Sequence, residues 1–287
     1  MISVVIPAYN EEGAVAETVA QVREILATNG FQDFEIIVVD DGSADRTAEV
    51  AASAGARVIR KPQNIGYGHS LKVGIAAATH DTVVITDADG TYPIDQIPAL
   101  VERYRQGFDM VVGARTGAHY RESWLKSPLR AILTWLVEFA CGRTVPDVNS
   151  GLRVFSRDSI TPFFTHLCDT FSFTTSITLA YILRRKYVEY IPVPYHKRIG
   201  TTKVRLFRDS LRTMQYIVQA IVFYNPLKLF LLLSMILTLG ALLALGGSLI
   251  GLAGGAMLAG QSLIAAVMVF GLGLLAEMLR QIDLNQN

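Results

Sequence analysis

The sequence has little of several features that define common protein classes. It contains only two cysteines, Cys141 and Cys168, far apart and in no C-x-x-C pattern. Neither cysteine is therefore a predicted metal ligand or a member of a redox pair, and their small number fits a reducing compartment. Basic and acidic residues nearly balance, 26 against 25, so the overall charge gives no reason to expect nucleic-acid binding. The chain enters an apolar strand pattern at Ile2 without a basic segment or a cleavage site, and we expect no signal peptide.

Glycine-rich phosphate-binding loops are also missing. A dinucleotide-binding fold needs G-x-G-x-x-G after its first strand, whereas here the first strand pattern runs into Pro-Ala-Tyr-Asn-Glu-Glu. Gly66-Tyr67-Gly68 is only a fragment of such a loop, and no G-x-x-x-x-G-K-[ST] occurs. The sequence thus excludes these two kinds of nucleotide site, and a metal ion would have to take over the binding of phosphates.

Charged residues are absent from one long stretch. The 48 residues from Leu229 to Ala276 include no Asp, Glu, Lys or Arg, whereas the first two hundred residues are charged like a soluble domain. A single helix of that length would span about 72 Å, more than twice the ~30 Å hydrocarbon core of a bilayer. We therefore predict a membrane anchor over 226–287, with two transmembrane helices near 227–248 and 262–279.

Some features of this anchor have two interpretations. The hairpin is either membrane-spanning or a buried helix pair of a soluble protein. Gly247, Gly251 and Gly255 either let two helices approach closely or form the turn between them. Positive charges flank the hairpin but are missing from its turn, which predicts a multi-pass protein of the cell membrane with its N-terminal domain on the cytosolic face. These charges are Lys203, Arg205, Arg208, Arg212, Lys228 and Arg280.

The first part of the chain alternates strand and helix patterns. A helix after the first strand has Val15, Val19, Val22 and Leu26 on one face and Asn10 as its cap. The alternation predicts an α/β fold over residues 1–204, a doubly wound and mostly parallel sheet with helices on both faces. The predicted strands are 3–7, 35–39, 57–60, 82–86, 110–113, 152–156 and 188–193.

Two further helical patterns carry exposed apolar positions. Residues 120–142 interleave Trp and Leu with basic residues, which fits either a core-packing helix pair or a surface at the membrane interface near the acceptor. Residues 205–225 form a predicted amphipathic interfacial helix, because Arg208 and Arg212 lie opposite Leu211 and Ile217.

Polar residues follow four of the predicted strands. Ligands of open α/β sheets bind beyond the carboxyl ends of the strands, so these segments are expected to share one site. They are Pro7–Glu12, Asp40–Ser43, Asp87–Gly90 and Gly113–Arg115.

Asp87 and Asp89 form a D-x-D motif. Alternate side chains of an extended segment point the same way, so these two carboxylates can bind one Mg²⁺ or Mn²⁺ that also meets a donor diphosphate. The alternative is a polar turn that caps a helix. Asp40–Ser43 has the same alternative, against a role for Asp41 in accepting hydrogen bonds from a base or ribose. Two such motifs at successive strand ends favour the functional interpretation.

Basic residues near the end of the domain indicate a second phosphate-binding element. Arg198 and Lys203 can bind phosphates, Arg as a bidentate fork and Lys as a point charge. The competing explanation is that these charges only set membrane topology. The cluster at 184–186 lies at a predicted helix end, where interaction with the helix dipole explains it.

The ordered motifs resemble those of the family-two, GT-A-fold inverting glycosyltransferases from Ile2 to Lys203. They are V-V-I-P-A-Y-N-E-E, V-D-D-G-S, D-A-D-G, G-A-R, N-S-G-L-R-V-F and R-x-G-x-T-K. Within that family the chain is similar to polyprenyl-phosphate sugar synthases, such as dolichyl-phosphate mannose synthase and polyprenyl-phosphate glucosyltransferases. The resemblance implies a GT-A fold and transfer of a hexose from a UDP- or GDP-sugar to a polyprenyl phosphate, with inversion and with Mg²⁺ or Mn²⁺.

The resemblance also implies roles for single residues, with Asp87, Asp89 and Arg115 as the catalytic candidates. Thr91 departs from the pattern, because many members have a metal-contacting Gln there. The implied contacts with the nucleoside are Pro7, Tyr9, Glu11 and Asp41, and those with the diphosphate and metal are Asp87, Ala88 and Asp89. The implied contacts with donor or acceptor phosphates are Arg115, Arg198 and Lys203. Ser150 and Arg153 would line the acceptor side.

No general base is evident for an acceptor hydroxyl. Gly151 stands where some relatives have an acidic residue, and Asp147 is the nearest carboxylate. A phosphate monoester has its second pKa near ~6 and is largely ionised without a base, which favours a lipid phosphate as acceptor. Two alternatives stay open: a membrane glycosyltransferase that elongates a glycan on a hydroxyl, and a non-catalytic subunit for nucleotide-sugar binding or lipid flipping. The helix-packing glycines also make a homo-oligomer plausible.

Overall fold

The computed structural model describes residues 1–117, 127–196, 206–250 and 253–286. The chain divides into two compact units, Met1–Ile217 and Val218–Asn287. The predicted phosphate-binding residues Arg198 and Lys203 lie outside the described residues. The three predicted segments, with boundaries after 204 and 225, stay a prediction.

A seven-stranded sheet forms the centre of the first unit, in the order β3-β2-β1-β4-β6-β5-β7. Most strand pairs are parallel, so the predicted mostly parallel α/β sheet is confirmed. The strands coincide with β-branched runs of the sequence. The strands are β1 (Ile2–Ala8), β2 (Phe34–Asp40), β3 (Arg57–Arg60), β4 (Thr82–Ile85), β5 (Met110–Thr116), β6 (Arg153–Ser156) and β7 (Val188–Pro194).

One strand runs against the others. β6 pairs antiparallel with both of its neighbours, β4 and β5, while the remaining pairs are parallel. Its first residue, Arg153, lies opposite Ile85 near the end of β4 and opposite Val112 in β5. The segment before β6 therefore reaches the sheet edge at which the parallel strands end.

Helices cover both faces of the sheet. Val15, Val19, Val22 and Leu26 are buried on one face, as their spacing predicts. The predicted cap of this helix is wrong, because the helix begins only at Val15 and has no side-chain cap. The helices are α1 (Val15–Thr28), α2 (Thr47–Ser53), α3 (Tyr67–Ala77), α4 (Ile97–Arg105), α5 (Ser127–Cys141), α6 (Arg157–Ile160), α7 (Phe173–Leu183), α8 (Leu206–Tyr224), α9 (Pro226–Leu249) and α10 (Gly255–Gln286).

Helix α3 packs very closely on the sheet. A Cβ added at Gly74 would overlap the Val5 side chain and lie 2.9 Å from Cγ2 of Val39. Only glycine fits without movement of β1 or β2, and this close packing fixes the helix that begins beside the sheet edge.

Helix α5 has a buried side and an exposed apolar side. Val137 and Ala140 are buried, whereas Ile132 and Trp135 are each 52% exposed. The Trp135 ring stacks on Phe139 with a centroid distance of 5.6 Å. Residues 120–126, the first part of the predicted 120–142 helical region, lie outside the described residues.

Helices α9 and α10 are long and apolar enough to cross a membrane. Only 6% and 11% of their most apolar windows are buried, so the described residues of this chain do not bury the pair as a soluble core would. Within the pair, the Ser234 hydroxyl donates to the Ala266 carbonyl at 3.0 Å. A Cβ at Gly255 would lie 2.5 Å from the Ala244 carbonyl oxygen, so this glycine permits close helix packing.

Candidate active site

Four polar segments converge at the edge where β1, β2, β4 and β5 end. In the register of the sheet, Ala8 lies opposite Asp40 and Val5 opposite Ile85. The residues that follow these strands therefore share one edge, as the sequence predicts. Pro7 is buried within β1, while Tyr9 and Glu11 are partly exposed just beyond it.

Hydrogen bonds from backbone amides to side-chain oxygens connect the loops after β1 and β2. The Asn10 amide donates to Oγ of Ser43 at 2.9 Å, and the Ala44 amide donates to Oδ1 of Asn10 at 2.9 Å. The Glu11 amide donates to Oγ1 of Thr47 at 2.8 Å. Asn10 adopts a φ of 51°, a left-handed conformation that asparagine tolerates better than most residues. The loop that carries Tyr9 and Glu11 is thus fixed by its neighbour.

The two adjacent aspartates after β2 have separate functions in the fold. Asp40 accepts the Ser43 amide at 3.0 Å, which is the turn role expected of this motif. Asp41 accepts the amides of Ile65 and Gly66 at 3.0 and 2.9 Å. Its Oδ1 also lies 2.5 Å from Nζ of Lys61, and both side chains are buried. Asp41 therefore anchors the 61–66 loop, and its predicted contact with a nucleoside stays a prediction.

Both D-x-D carboxylates are held at the end of β4. Oδ1 of Asp87 accepts the Tyr67 hydroxyl at 2.9 Å. Oδ1 of Asp89 accepts the Thr91 amide at 3.1 Å and the Thr91 hydroxyl at 2.6 Å. The intervening Ala88 carbonyl accepts the Thr18 hydroxyl at 3.1 Å. Hard carboxylate oxygens on closely spaced residues are a donor set that suits Mg²⁺ or Mn²⁺.

Thr91 holds Asp89 through two hydrogen bonds. Thr91, the position at which the chain departs from the family pattern, therefore positions the Asp89 carboxylate. Among the described residues, no three His, Cys, Asp or Glu side chains are arranged to hold a metal ion.

Arg115, at the end of β5, forms a bidentate pair with Asp147. Its Nε donates to Oδ2 at 2.7 Å and its Nη2 donates to Oδ1 at 2.9 Å, while the Arg115 amide adds a third bond at 3.0 Å. Burial alone would raise the pKa of Asp147, but the hydrogen bonds and charge of Arg115 lower it below its usual value. Asp147 is therefore an ionised partner of Arg115 at neutral pH and a poor general base.

Ser150 and Arg153 are fully buried. The Ser150 hydroxyl donates to the Gly113 carbonyl at 2.5 Å. The guanidinium of Arg153 donates to the Ser150 and Val148 carbonyls and to the Thr178 hydroxyl, at 2.8, 2.9 and 2.8 Å. Both residues brace the segment before β6 in this structure, and their predicted contact with an acceptor stays a prediction.

Comparison with known proteins decides the family. Residues 3–173 match the model of glycosyl transferase family 2. The chain belongs to glycosyl transferase family 2. It is 31% identical over 208 residues to a dolichyl-phosphate hexose transferase of Haloferax volcanii, a match that covers 72% of this chain and 87% of the relative. An undecaprenyl-phosphate 4-deoxy-4-formamido-L-arabinose transferase of Edwardsiella ictaluri is 33% identical, over 69% of this chain and 60% of that protein.

The fold of this family 2 glycosyltransferase is also found among solved structures. Glucosyl-3-phosphoglycerate synthase of Mycobacterium tuberculosis, solved with Mn²⁺, UDP and glucosyl-3-phosphoglycerate, aligns with a TM-score of 0.61 and 24% identity. The alignment covers 77% of this chain and 79% of that one. At this identity the likeness is to the fold, and the predicted GT-A architecture is confirmed.

Three tyrosines and one glycine of this glycosyltransferase site were not predicted from the sequence. Burial raises the pKa of Tyr67, Tyr92 and Tyr195, so all three are neutral hydroxyls at pH 7. The Tyr92 hydroxyl accepts the Gly151 amide at 2.6 Å, and the Tyr92 and Tyr195 rings meet edge to face at 5.4 Å. Arg115 lies over the Tyr195 ring at 5.4 Å.

Gly151 has a steric reason to be glycine. A Cβ at this position would lie 2.8 Å from Oδ1 and 2.9 Å from Oδ2 of Asp87. An acidic side chain at this position would meet the Asp87 carboxylate and repel it. The nearest sequence signal for this contact is the N-S-G-L-R motif itself, which gives no information about the partner.

Proposed function

We propose that this family 2 enzyme transfers a hexose from a UDP- or GDP-sugar to a polyprenyl phosphate, with inversion and with a divalent cation. A phosphate oxygen of the lipid attacks the anomeric carbon of the sugar. The bond from that carbon to the diphosphate breaks, and the nucleoside diphosphate leaves with the bonding electrons. The names of the two relatives, a dolichyl-phosphate and an undecaprenyl-phosphate sugar transferase, support this acceptor class.

The arrangement of Asp87 and Asp89 carries the donor side of the proposal. Two carboxylates supply only part of the coordination shell of Mg²⁺ or Mn²⁺, so donor diphosphate oxygens and water would complete it. A bound cation would neutralise the negative charge that develops on the leaving diphosphate. The Mn²⁺ and UDP bound by the solved M. tuberculosis enzyme support this assignment. Pro7, Tyr9 and Glu11 would meet the nucleoside beside the Asp41-anchored loop.

The Arg115–Asp147 pair supports a phosphate acceptor over a hydroxyl. Asp147 is 2% exposed and engaged by Arg115, so it is not available to deprotonate an acceptor. A phosphate monoester is already ionised near neutral pH and needs no such base. Arg115 would bind the phosphate while Asp147 orients its guanidinium, with Arg198 and Lys203 as further phosphate ligands.

The two apolar helices support a membrane location. We infer that both cross the bilayer and that the catalytic unit lies on the cytosolic side, because Lys and Arg flank the hairpin and are missing from its turn. A polyprenyl carrier stays in the bilayer, so an anchored enzyme meets its acceptor in two dimensions.

Assay of the purified full-length protein tests this function. UDP- and GDP-hexoses would be screened with polyprenyl phosphate and Mn²⁺ or Mg²⁺, and the anomeric configuration of the lipid product read by NMR. We expect a β-linked product from an α-linked donor, and no product in EDTA. Transfer to an oligosaccharide but not to the lipid phosphate would favour the glycan-elongating alternative. Absence of donor consumption with either acceptor would favour the non-catalytic one.

A further inference from the structure

The Gly66-Tyr67-Gly68 fragment has no role as a phosphate cradle, but the structure gives it a steric one. Gly66 has a φ of 139°, and a Cβ there would lie 2.5 Å from the Asp169 carbonyl oxygen. A Cβ at Gly68 would overlap the Cys168 carbonyl. The His69 amide donates to the Asp169 carbonyl at 2.9 Å. Both glycines therefore let the start of α3 lie directly against the backbone of the segment before α7.

This close approach places the Tyr67 side chain. Its ring stacks on Phe171 with a centroid distance of 5.7 Å and an angle of 17°. Its hydroxyl donates to Oδ1 of Asp87 at 2.9 Å.

Asp87 is restrained from a second side. The backbone at Gly151 leaves no room for a Cβ beside the carboxylate, and the Gly151 amide is fixed by the Tyr92 hydroxyl at 2.6 Å. The carboxylate of Asp87 thus lies between a hydrogen-bond donor and a rigid wall. A side chain held in this way loses little rotamer freedom when it binds a ligand, which is the benefit of preorganisation.

The 61–66 loop, which leads into Tyr67, also contacts Asp41, which follows β2. The Ile65 and Gly66 amides bind the two oxygens of Asp41, so the residues just before Tyr67 are fixed by the β2 end. The segment 65–67 therefore contacts both aspartates: its backbone amides bind Asp41, and its Tyr67 side chain binds Asp87.

We propose that Tyr67 is a positioning residue that holds the Asp87 carboxylate in place for the cation and diphosphate of the donor. This inference rests on the proposed function, since it assumes a metal-bound nucleotide donor. Tyr67 would not touch the reacting atoms. Loss of its hydroxyl would remove one restraint on the Asp87 carboxylate.

Binding of Mn²⁺ and nucleotide to the full chain in detergent tests the proposal without turnover. Tyr67→Phe keeps the ring and its stacking and removes only the hydroxyl. Affinity for Mn²⁺ with UDP, and for Mn²⁺ with GDP, would be measured by titration calorimetry, with bound Mn²⁺ followed by its paramagnetic resonance. We expect the variant to bind the better of these two pairs about tenfold more weakly, the size expected for one hydrogen bond to a charged group.

A positioning role predicts that the loss depends on the metal. In EDTA, binding of the nucleotide alone, followed by ligand-observed NMR, should be the same in Tyr67→Phe and wild type. An equal loss with and without Mn²⁺ would overturn the proposal, because it would mean that the Asp41-anchored loop had moved. Unchanged Mn²⁺–nucleotide affinity would also overturn it.

Three further variants make every result decisive. Tyr187→Phe is the matched control, since Tyr187 is 71% exposed, and it should bind like wild type. Gly151→Ala pushes on Asp87 from the other side and should lose at least as much metal-dependent affinity. If Tyr67→Phe fails to fold, Phe171→Leu removes the stacking partner and should show a smaller, metal-dependent loss; unchanged binding there would overturn the proposal. If wild type binds neither pair, the donor class under the proposed function fails instead.

Discussion

The sheet edge of the first unit buries charged side chains, whereas the helical hairpin of the second unit exposes apolar ones. At the edge, charged groups such as Asp41 and Asp147 are buried and paired with Lys61 and Arg115. In the hairpin, large apolar side chains such as Leu239 and Leu243 are 58% and 69% exposed. A buried charge is costly unless another group of the protein pairs with it. Exposed large apolar side chains are stabilised by apolar surroundings rather than by water. The first unit therefore pairs the charges that it buries, whereas the hairpin exposes apolar side chains and carries no charge along most of its length.

The strongest test of the sheet edge is Asp89→Ala. We expect about 1,000-fold slower transfer, because a carboxylate that holds the cation against the donor diphosphate is lost. Asp95→Ala, which changes an exposed acid in the turn after the motif, is the matched control and should retain full activity. Circular dichroism would show that both variants are folded. A rate within tenfold of wild type for Asp89→Ala would end the metal-binding assignment.

The strongest test of the hairpin is Leu239→Arg, near the middle of α9. If this helix spans a bilayer, an arginine there costs about 3 kcal/mol on insertion, and the inserted fraction falls steeply. If the helix were outside the bilayer, an exposed Leu-to-Arg change would cost almost nothing. Alkaline extraction of membranes measures the inserted fraction, and Gln21→Arg, on the exposed side of α1, is the control. Equal membrane recovery of the two variants would contradict the spanning assignment.

Much of this contrast could be predicted from the sequence, because it depends on local patterns. β-branched runs gave the strands, and the 48 uncharged residues gave a hairpin whose first helix, Pro226–Leu249, differs from the prediction by one residue at each end. The second helix is longer than predicted, Gly255–Gln286, because it begins seven residues earlier within the uncharged stretch and continues through polar residues after Leu279. The shared edge of Asp41 and Asp87 followed from the parallel order of the strands.

The parts that could not be predicted depend on contacts between distant residues. The four-residue run of β6 carries no signal for its direction, and only the sheet shows that it is antiparallel. Arg115 and Asp147 are 32 residues apart, and Tyr67 and Asp87 are 20 apart, so no local spacing indicates either pair. The helix cap assigned to Asn10 failed for the same reason, since its side chain binds the loop after β2 instead.

Close packing behind the edge is tested by Gly74→Ala. The added methyl would overlap Val5, and we expect a loss of about 2 kcal/mol in the free energy of unfolding, from overpacking. Gly13→Ala is the matched control, because no atom lies within 4 Å of the added Cβ. Urea unfolding of the full chain in detergent, followed by tryptophan fluorescence, reports on the first unit, which contains both tryptophans. Equal midpoints for the two variants would show that α3 is free to move away from β1.

The smallest effect expected is also the one that tests charge pairing most directly. The folded-state pKa of Asp147 is lowered, so its pair with Arg115 stabilises the fold above the usual pKa of 3.8 and loses that contribution as the pH falls through the lower folded value. Asp147→Asn should therefore cost about 1.5 kcal/mol at neutral pH, and the difference from wild type should be constant down to about pH 4.5 and shrink below it. Urea unfolding at several pH values measures the difference, with the exposed Asp158→Asn as control. A difference that stays the same at pH 3 would mean that Asp147 stabilises the edge through its shape and neutral hydrogen bonds rather than through its charge.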